Sequence, residues 1–120
     1  MKQLFQIDYL EFPSAEGVAT RRFFREALGW TEVSYGAHYH GLEGAGIDAG
    51  VDSSEARSAS ILPVVRCADL AAAEREVLAA GGVVTRPAFD FPGGRRFHFR
   101  APGGIELAMW VAKEEGAEES

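Results

Sequence analysis

Two histidines that flank a tyrosine, in His38-Tyr39-His40, form the first segment whose residue types suggest chemistry. Residues at positions i and i+2 of a strand share one face, so both imidazoles could bind a single metal ion. Gly36 and Gly41 border the segment, and a short strand beside glycine turns is commonly exposed. The sequence therefore favours a solvated or locally hydrogen-bonded histidine pair, and His40 is kept as a candidate ligand-binding residue.

Glu106 is a second candidate, on a predicted strand near the end of the chain. It stands between Ile105 and Leu107, so strand alternation places it on the same face as Ala108 and Trp110. A carboxylate that points into a concave face is costly unless it is paired, hydrated or bonded to a ligand. A contact with a ligand and a structural hydrogen bond or ion pair are the two alternatives for Glu106.

Glu11 and Tyr9 share one face of the first predicted strand. For Glu11, the alternative to a ligand role is a carboxylate at a solvated pocket mouth. Tyr9 and Trp110 would supply flat aromatic walls for an apolar or planar ligand, although aromatic residues on strands more often belong to the core.

His98 shares a predicted strand face with Arg96 and Arg100. If that face is the inner one, His98 and Glu106 lie on neighbouring strands. The arginines, together with Arg95, could receive an anionic ligand through bidentate bonds, and the alternative is that they are solvated or paired with nearby acids.

The elements that must position these residues follow the same order twice. In the first half, a strand ending at Pro13 precedes a helix capped by Ser14 and stopped by Gly29. In the second half, Asp69 caps the helix and a glycine pair at 81–82 closes it. The predicted strands cover residues 4–12, 30–34, 37–42, 46–51, 61–67, 83–86, 95–100 and 105–111.

This repetition predicts an α+β fold in which two βαβββ units form a curved, mostly antiparallel sheet with helices on its outer face. The inner face is left open as a pocket for a small ligand. We expect a single domain over residues 1–113, with units at 1–52 and 59–113 and a polar linker at 53–58. Cys67, at the end of an apolar strand, is predicted to be a small buried core residue.

The net charge of −6 over 120 residues is concentrated at one end of the chain. Residues 114–120 form a predicted acidic tail, and subtracting its four glutamates leaves −2 for the remaining residues. A nearly neutral body argues against nucleic-acid binding, which needs clustered cations. No stretch approaches the roughly 18–20 apolar residues of a membrane span, and no secretory signal precedes the first strand, so we expect a cytoplasmic protein.

Four segments carry a resemblance to the vicinal oxygen chelate superfamily, which includes glyoxalase I, bleomycin-resistance proteins, extradiol dioxygenases and fosfomycin-resistance enzymes. Residues 23–30, FFREALGW, resemble the segment "FY-x-x-x-L-G-W" of that superfamily. The other three segments are GIDAG at 46–50, ADL at 68–70, and FRAPGGIEL at 99–107. The resemblance implies a glyoxalase-like domain over nearly the whole chain, but one scaffold hosts many chemistries.

The resemblance also implies where a divalent metal would bind. Superfamily members usually hold the ion with His, Glu or Gln side chains on the inner strands, and the ion binds two adjacent oxygens of the substrate. The matching positions here are Tyr9, Leu62 and Glu106. Leucine cannot bind a metal, and a tyrosine must first lose a proton with an ordinary pKa of about 10. The usual metal site is therefore expected to be incomplete, with no cofactor.

Three functions stay open from the sequence. The first is a metal-free protein of the bleomycin-resistance type that binds a small organic ligand through Tyr9, Glu11, His98, Glu106 and Trp110. The second is a metal-dependent lyase, isomerase or dioxygenase with a relocated ligand set, such as His40 or His98 with Glu106. The third is a regulatory or partner-binding module that lost the pocket. A homodimer is expected for all three, since small paired units of this superfamily commonly associate.

Overall fold

The computed structural model describes residues 3–113 of the chain. Within these described residues, eight strands and two helices give a mixed α+β fold. In chain order, they are β1 (Gln6–Pro13), α1 (Gly17–Leu28), β2 (Thr31–Ser34), β3 (Tyr39–Glu43), β4 (Asp48–Asp52), β5 (Leu62–Arg66), α2 (Leu70–Ala79), β6 (Val83–Phe91), β7 (Gly94–Ala101) and β8 (Ile105–Ala112). Among the described residues, no helix is long and apolar enough to cross a membrane.

The two halves of the chain have the same topology. The strand order is β2-β3-β4-β1 in the first half and β6-β7-β8-β5 in the second. In each half, the strand before the helix pairs in parallel with the last strand, as β1 with β4 and β5 with β8. The remaining pairs within each half are antiparallel. The predicted pair of βαβββ units with mostly antiparallel pairing is confirmed.

The chain forms two compact units that do not divide at the ends of the repeats. The first unit comprises residues 8–62, and the second comprises residues 63–113 together with 3–7 among those described. Gln3 explains why the N-terminal segment packs with the second half. Its side-chain oxygen accepts hydrogen bonds from the backbone N–H groups of Ala68 and Asp69 at 2.8 and 2.9 Å, and its amide donates to the Asp69 carbonyl at 2.9 Å.

The predicted domain boundaries stay a prediction. Residues 53–58, the predicted linker, contain neither helix nor strand. The predicted acidic tail at 114–120 lies outside the described residues.

Each helix covers one face of the strands of its own unit. In the first unit, the ring centre of Phe24 on α1 lies 5.4 Å from the ring centre of Phe12 and 5.0 Å from that of Trp30. In the second unit, Leu70 and Ala73 of α2 pack in the core with residues of β5, β7 and β8. We call the opposite face of each set of strands its helix-free face. Strand alternation places Tyr9 and Trp110 there.

Cys67 is 2% exposed and belongs to the core of the second unit, which confirms its predicted burial. Asp69 also behaves as predicted, because its side chain accepts a hydrogen bond from the backbone N–H of Ala72 at 3.0 Å and caps α2. Gly29 ends α1 with φ 75°, in the left-handed region that glycine enters without steric cost.

Two local predictions are wrong. Ser14 does not cap α1, because the helix begins at Gly17 and the Ser14 hydroxyl instead accepts from the backbone N–H of Glu16 at 3.0 Å. β6 continues to Phe91 rather than ending at Arg86. It passes through Pro87 because β6 is the outermost strand of its order, where a missing N–H is tolerated, and because its register with β7 shifts on either side of Arg86.

Candidate functional site

A chain of three hydrogen-bonded side chains lies on the helix-free face of the first unit. The Tyr39 hydroxyl donates to Oε2 of Glu11 at 3.0 Å, and the hydroxyl oxygens of Tyr9 and Tyr39 are 2.5 Å apart. Since the one proton of Tyr39 points to the carboxylate, Tyr9 donates to Tyr39. Glu11 is 5% exposed, so these bonds help to compensate the burial of a carboxylate. The structure therefore places Tyr9 and Glu11 together, as the sequence predicts.

Gly50 provides the space for the two tyrosine hydroxyls. It lies on β4, opposite Glu11 on β1 and opposite Gly41 on β3. A Cβ atom at this position would lie 2.6 Å from the Tyr39 hydroxyl oxygen and would also collide with that of Tyr9. The hydrogen bonds among Tyr9, Tyr39 and Glu11 therefore require a glycine at position 50.

The surroundings of Tyr39 keep its hydroxyl protonated. Burial, and then the charge of the Glu11 carboxylate and the neighbouring Tyr9, raise the pKa of Tyr39 well above its ordinary value of about 10. Tyr39 can therefore serve as a hydrogen-bond donor throughout the neutral range, and it is poorly suited to act as a phenolate.

A row of arginines and aromatic rings crosses the helix-free face of the second unit. In the strand register, Arg66 on β5 lies opposite Trp110 on β8, and Arg96 on β7 lies between Trp110 and Phe89 on β6. The guanidinium of Arg66 is 5.0 Å from the centre of the Trp110 ring. That of Arg96 is 5.6 Å from Phe89 and 5.7 Å from Phe91. Cations and rings at these distances attract each other.

His98 lies directly beside this row and is 4% exposed. Its Nε2 accepts hydrogen bonds from Nε of Arg96 at 3.2 Å and Nη2 of Arg96 at 3.0 Å. Because a guanidinium only donates, the lone pair of His98 Nε2 faces Arg96 and the ring proton is assigned to Nδ1. Arg86, opposite His98 on β6, stacks at 3.8 Å from the Phe89 ring. The two hydrogen bonds to Nε2 therefore hold Arg96 in place beside His98.

Glu106 lies on the same face of β8 as Trp110, as predicted, and on a strand next to that of His98. Its Oε2 accepts a hydrogen bond from the Thr85 hydroxyl at 3.2 Å, and Arg100 is its partner in the register with β7. Of the two alternatives for Glu106, the structure contains the structural hydrogen bond. A contact with a ligand stays a prediction.

His40 does not join Tyr9 and Glu11. It is 9% exposed and pairs in register with Val51, whose side chain is in the core with Leu42 on the helix-covered face. Of the predicted solvated or locally hydrogen-bonded pair, His40 is not solvated, because alternation along β3 turns its imidazole toward the core. Its Nδ1 is buried without a hydrogen-bond partner among residues 3–113.

Two of the three implied metal positions, Tyr9 and Leu62, hold residues that do not fit a divalent ion. The Tyr9 hydroxyl donates a hydrogen bond to Tyr39, and Leu62 is an apolar side chain with 0% exposure. In the relocated set, the lone pair of His98 Nε2 faces a guanidinium, and His40 turns toward the helix-covered face of the first unit. Across residues 3–113, no three His, Cys, Asp or Glu side chains come together in a group that could hold a metal.

The second unit also has an open apolar groove of about 540 Å³ on its helix-covered face. Side chains of α2, β5, β7 and β8 line it, among them Val65, Val77, Phe99 and Met109. The groove is a second place where an apolar ligand could bind, and it lies on the opposite face of the strands from Trp110.

Sequence reasoning missed Tyr39, and it missed that Arg66 and Arg86 lie in one row with Arg96. Tyr39 was overlooked because the two histidines beside it are the more familiar metal ligands, although alternation puts Tyr39 and His40 on opposite faces. Arg66 and Arg86 sit on strands far apart in the sequence. Only the strand register brings them to the same face as Arg96.

Comparison with family models gives no match, and comparison with curated proteins gives none either. Solved structures do match. A protein from Legionella pneumophila described as an NAD-dependent benzaldehyde dehydrogenase superposes with a TM-score of 0.70 at 11% identity, over 88% of this chain and 98% of that one. A glyoxalase/bleomycin resistance protein/dioxygenase superfamily member from Vibrio splendidus gives 0.64 at 13% identity, over 92% and 99%.

A Mn(II)-bound glyoxalase from Novosphingobium aromaticivorans gives a TM-score of 0.62 at 19% identity, over 90% of this chain and 40% of that one. The three proteins are described in different terms, and their identities to this chain are low. The comparisons therefore establish the fold, and the activity must be argued from the residues of this chain.

Proposed function

We propose that this chain, which has the vicinal oxygen chelate fold, binds a small organic molecule without a divalent metal at the positions that the fold usually uses. The observation that carries the proposal is the hydrogen bond between Tyr9 and Tyr39, because it fills the first metal-ligand position with a phenol engaged elsewhere. The complete burial of Leu62 at the second position adds to this argument.

The helix-free face of the second unit has the kinds of side chain that bind an organic ligand. Trp110 is half-buried, Arg66 is exposed, and Phe89 and Phe91 are half-buried around Arg96. Small-molecule sites combine apolar and aromatic surface with a few fixed polar groups, and this face has both. Binding and orientation of a ligand are what these side chains offer, as in the bleomycin-resistance type that the sequence resembles.

The fluorescence of Trp110 provides the test. The chain has two tryptophans, and Trp30→Phe removes the one that packs against Phe24 on the helix-covered face of the first unit. This variant is titrated with a library of aromatic and aliphatic compounds in the presence of EDTA. We expect saturable changes in Trp110 fluorescence with at least one ring-containing compound.

The proposal fails if every compound is inactive in EDTA and binding appears only after Mn²⁺, Ni²⁺ or Zn²⁺ is added. Trp110→Phe in the wild-type background is the matched control, because its remaining Trp30 should not report the same titration.

We also propose that the chain acts as a cytoplasmic homodimer. Dimerisation would add buried area to a chain of only 120 residues. Light scattering coupled to gel filtration at several concentrations tests it, and a constant monomer mass would contradict it.

A further inference from the structure

We propose that the apolar groove of the second unit binds a second small molecule, an organic cation that joins a hydrocarbon body to an ammonium group. The groove lies on the helix-covered face, and the ligand surface of the proposed function, with Trp110, lies on the opposite face of the same strands. The groove and its ligand therefore go beyond the proposed function.

The size and floor of the groove suit a small organic molecule. Its volume of about 540 Å³ falls within the range of about 300–1,000 Å³ that small-molecule sites usually have. Val65, Phe99 and Met109 contribute apolar side chains from β5, β7 and β8. A hydrocarbon body placed there would exchange water for an apolar surface, which favours binding.

Hydrogen bonds hold the lining segments of the groove in place. Phe5 closely follows Gln3, whose side chain bonds the backbone just before α2. After α2, the N–H of Gly82 donates to the Val77 carbonyl at 2.8 Å. A Cβ atom at Gly82 would lie 2.6 Å from Cγ1 of Val77, so this close approach requires the glycine. A groove whose walls are fixed in advance binds its ligand at a lower entropic cost.

Glu76 gives the groove its charge. Among the described residues that line the groove, it is the charged one, and the others are apolar. It is half-buried, and its carboxylate forms no ion pair within residues 3–113. A cation in the groove would therefore meet an opposite charge and no like charge, in a position that salt screens less than it screens the open surface.

The place of Glu76 in α2 strengthens the preference for a cation. Glu76 lies in the last turn of the helix, and this turn contains no basic residue. Backbone carbonyls give a helix C-terminus a partial negative charge, which favours cations there and disfavours acids. A bound ammonium group would supply the positive charge that lysine or arginine supplies in the last turn of many helices.

The C-terminal residues of this chain do not have the composition of an occupant. Residues 114–120 contain four glutamates and no large apolar side chain. They would bring like charge to Glu76 and little hydrocarbon to the groove. A small amphipathic cation matches both features.

Matched probes separate the charge from the hydrocarbon. Octylammonium carries both, 1-octanol keeps the chain without the charge, octanoate reverses the charge, and methylammonium keeps the charge and loses the chain. Each is titrated calorimetrically into the whole protein at low salt. We expect octylammonium to bind at least about threefold more tightly than octanol and at least about tenfold more tightly than octanoate or methylammonium. Added salt should bring octylammonium closer to octanol.

Glu76→Gln tests the charge at nearly constant shape. It should reduce the affinity for octylammonium to about that for octanol and leave the affinity for octanol unchanged. Glu74→Gln is the matched control, because Glu74 is also half-buried on α2 but does not line the groove. Its substitution should leave both affinities within about twofold of wild type.

Ala80→Leu tests the location. Ala80 lines the groove and is exposed, so the protein should fold while the larger side chain narrows the groove. Octylammonium and octanol should both bind at least about fivefold more weakly. Ala71→Leu is the matched control, since Ala71 is an exposed residue of α2 outside the groove, and it should bind both probes as wild type does.

The other outcomes overturn the proposal in distinguishable ways. Equal affinity for octylammonium and octanoate would remove the cation. Octylammonium binding that neither Glu76→Gln nor Ala80→Leu weakens would place the ligand elsewhere, and a change in Trp110 fluorescence in the Trp30→Phe background would place it on the helix-free face. A dimer that Ala80→Leu dissociates and Ala71→Leu does not would give the groove to a second copy. If no chain probe binds, this site falls alone, because the library titration of Trp110 tests the proposed function separately.

Discussion

The hydroxyl of Tyr39 lies 3.0 Å from Oε2 of Glu11, and it donates a hydrogen bond to this carboxylate, which is 5% exposed. This bond connects the first and third strands of the first unit across β4. It also fixes the direction of the second hydrogen bond, since the Tyr9 hydroxyl must then donate to that of Tyr39. A residue at an expected metal position is thereby committed to a hydrogen bond within the protein.

Tyr39→Phe should destabilise the first unit. It removes the donor to a buried carboxylate and the acceptor for Tyr9, and a buried polar group left without its partner costs about 1–3 kcal/mol. The free energy of unfolding, from urea titration, should fall by about that amount. Tyr35→Phe is the matched control, because Tyr35 is 69% exposed and its variant should differ from wild type by less than about 0.5 kcal/mol. Equal stability of the two variants would contradict the role of the Tyr39 bond.

The raised pKa of Tyr39 predicts a loss of stability in alkali. Below about pH 10, the folded and unfolded states both keep the proton, so the contribution of Tyr39 is fully present. As the pH rises further, the unfolded state loses the proton first, and stability falls by up to about 1.4 kcal/mol per pH unit from this group. Urea titrations at about pH 9 and about pH 11 should show a steeper loss for wild type than for Tyr39→Phe. Parallel losses would contradict the shift.

Gly50→Ala should displace the tyrosine pair. The new Cβ would lie 2.6 Å from the Tyr39 hydroxyl oxygen, and overpacking of this kind costs about 1–3 kcal/mol. The near-ultraviolet circular dichroism of the tyrosines should change together with the free energy of unfolding. A variant with wild-type stability and an unchanged spectrum would show that the hydroxyls do not lie over Gly50.

The sequence predicted the repeated topology because periodicity and capping residues are local signals. The cap at Asp69, the burial of Cys67 and the shared face of Tyr9 and Glu11 follow from such signals. The row of Arg66, Arg86 and Arg96 does not follow from local signals. It depends on the register of four strands, and register is set by contacts between distant residues. The burial of His40 was missed for the same reason, because its surroundings depend on β4 and on the core around Val51.

His40→Leu tests the placement of that histidine. The imidazole lies on the core side of the first unit, and its Nδ1 has no partner within the described part of the chain. An apolar side chain of similar size should therefore keep or raise the free energy of unfolding. Ligand binding, read by Trp110 fluorescence in the Trp30→Phe background, should be unchanged. A loss of more than about 1 kcal/mol would show that the imidazole has a stabilising partner, and a loss of ligand binding would return His40 to the site.

We propose that the Tyr9 hydrogen bond and the apolar Leu62 leave no usable set of metal ligands at the usual positions. Isothermal titration of Mn²⁺, Ni²⁺ and Zn²⁺ into the metal-stripped wild-type protein tests it most directly. We predict no saturable site of one ion per chain for any of the three metals. A tight stoichiometric site that Glu106→Ala abolishes would contradict the claim.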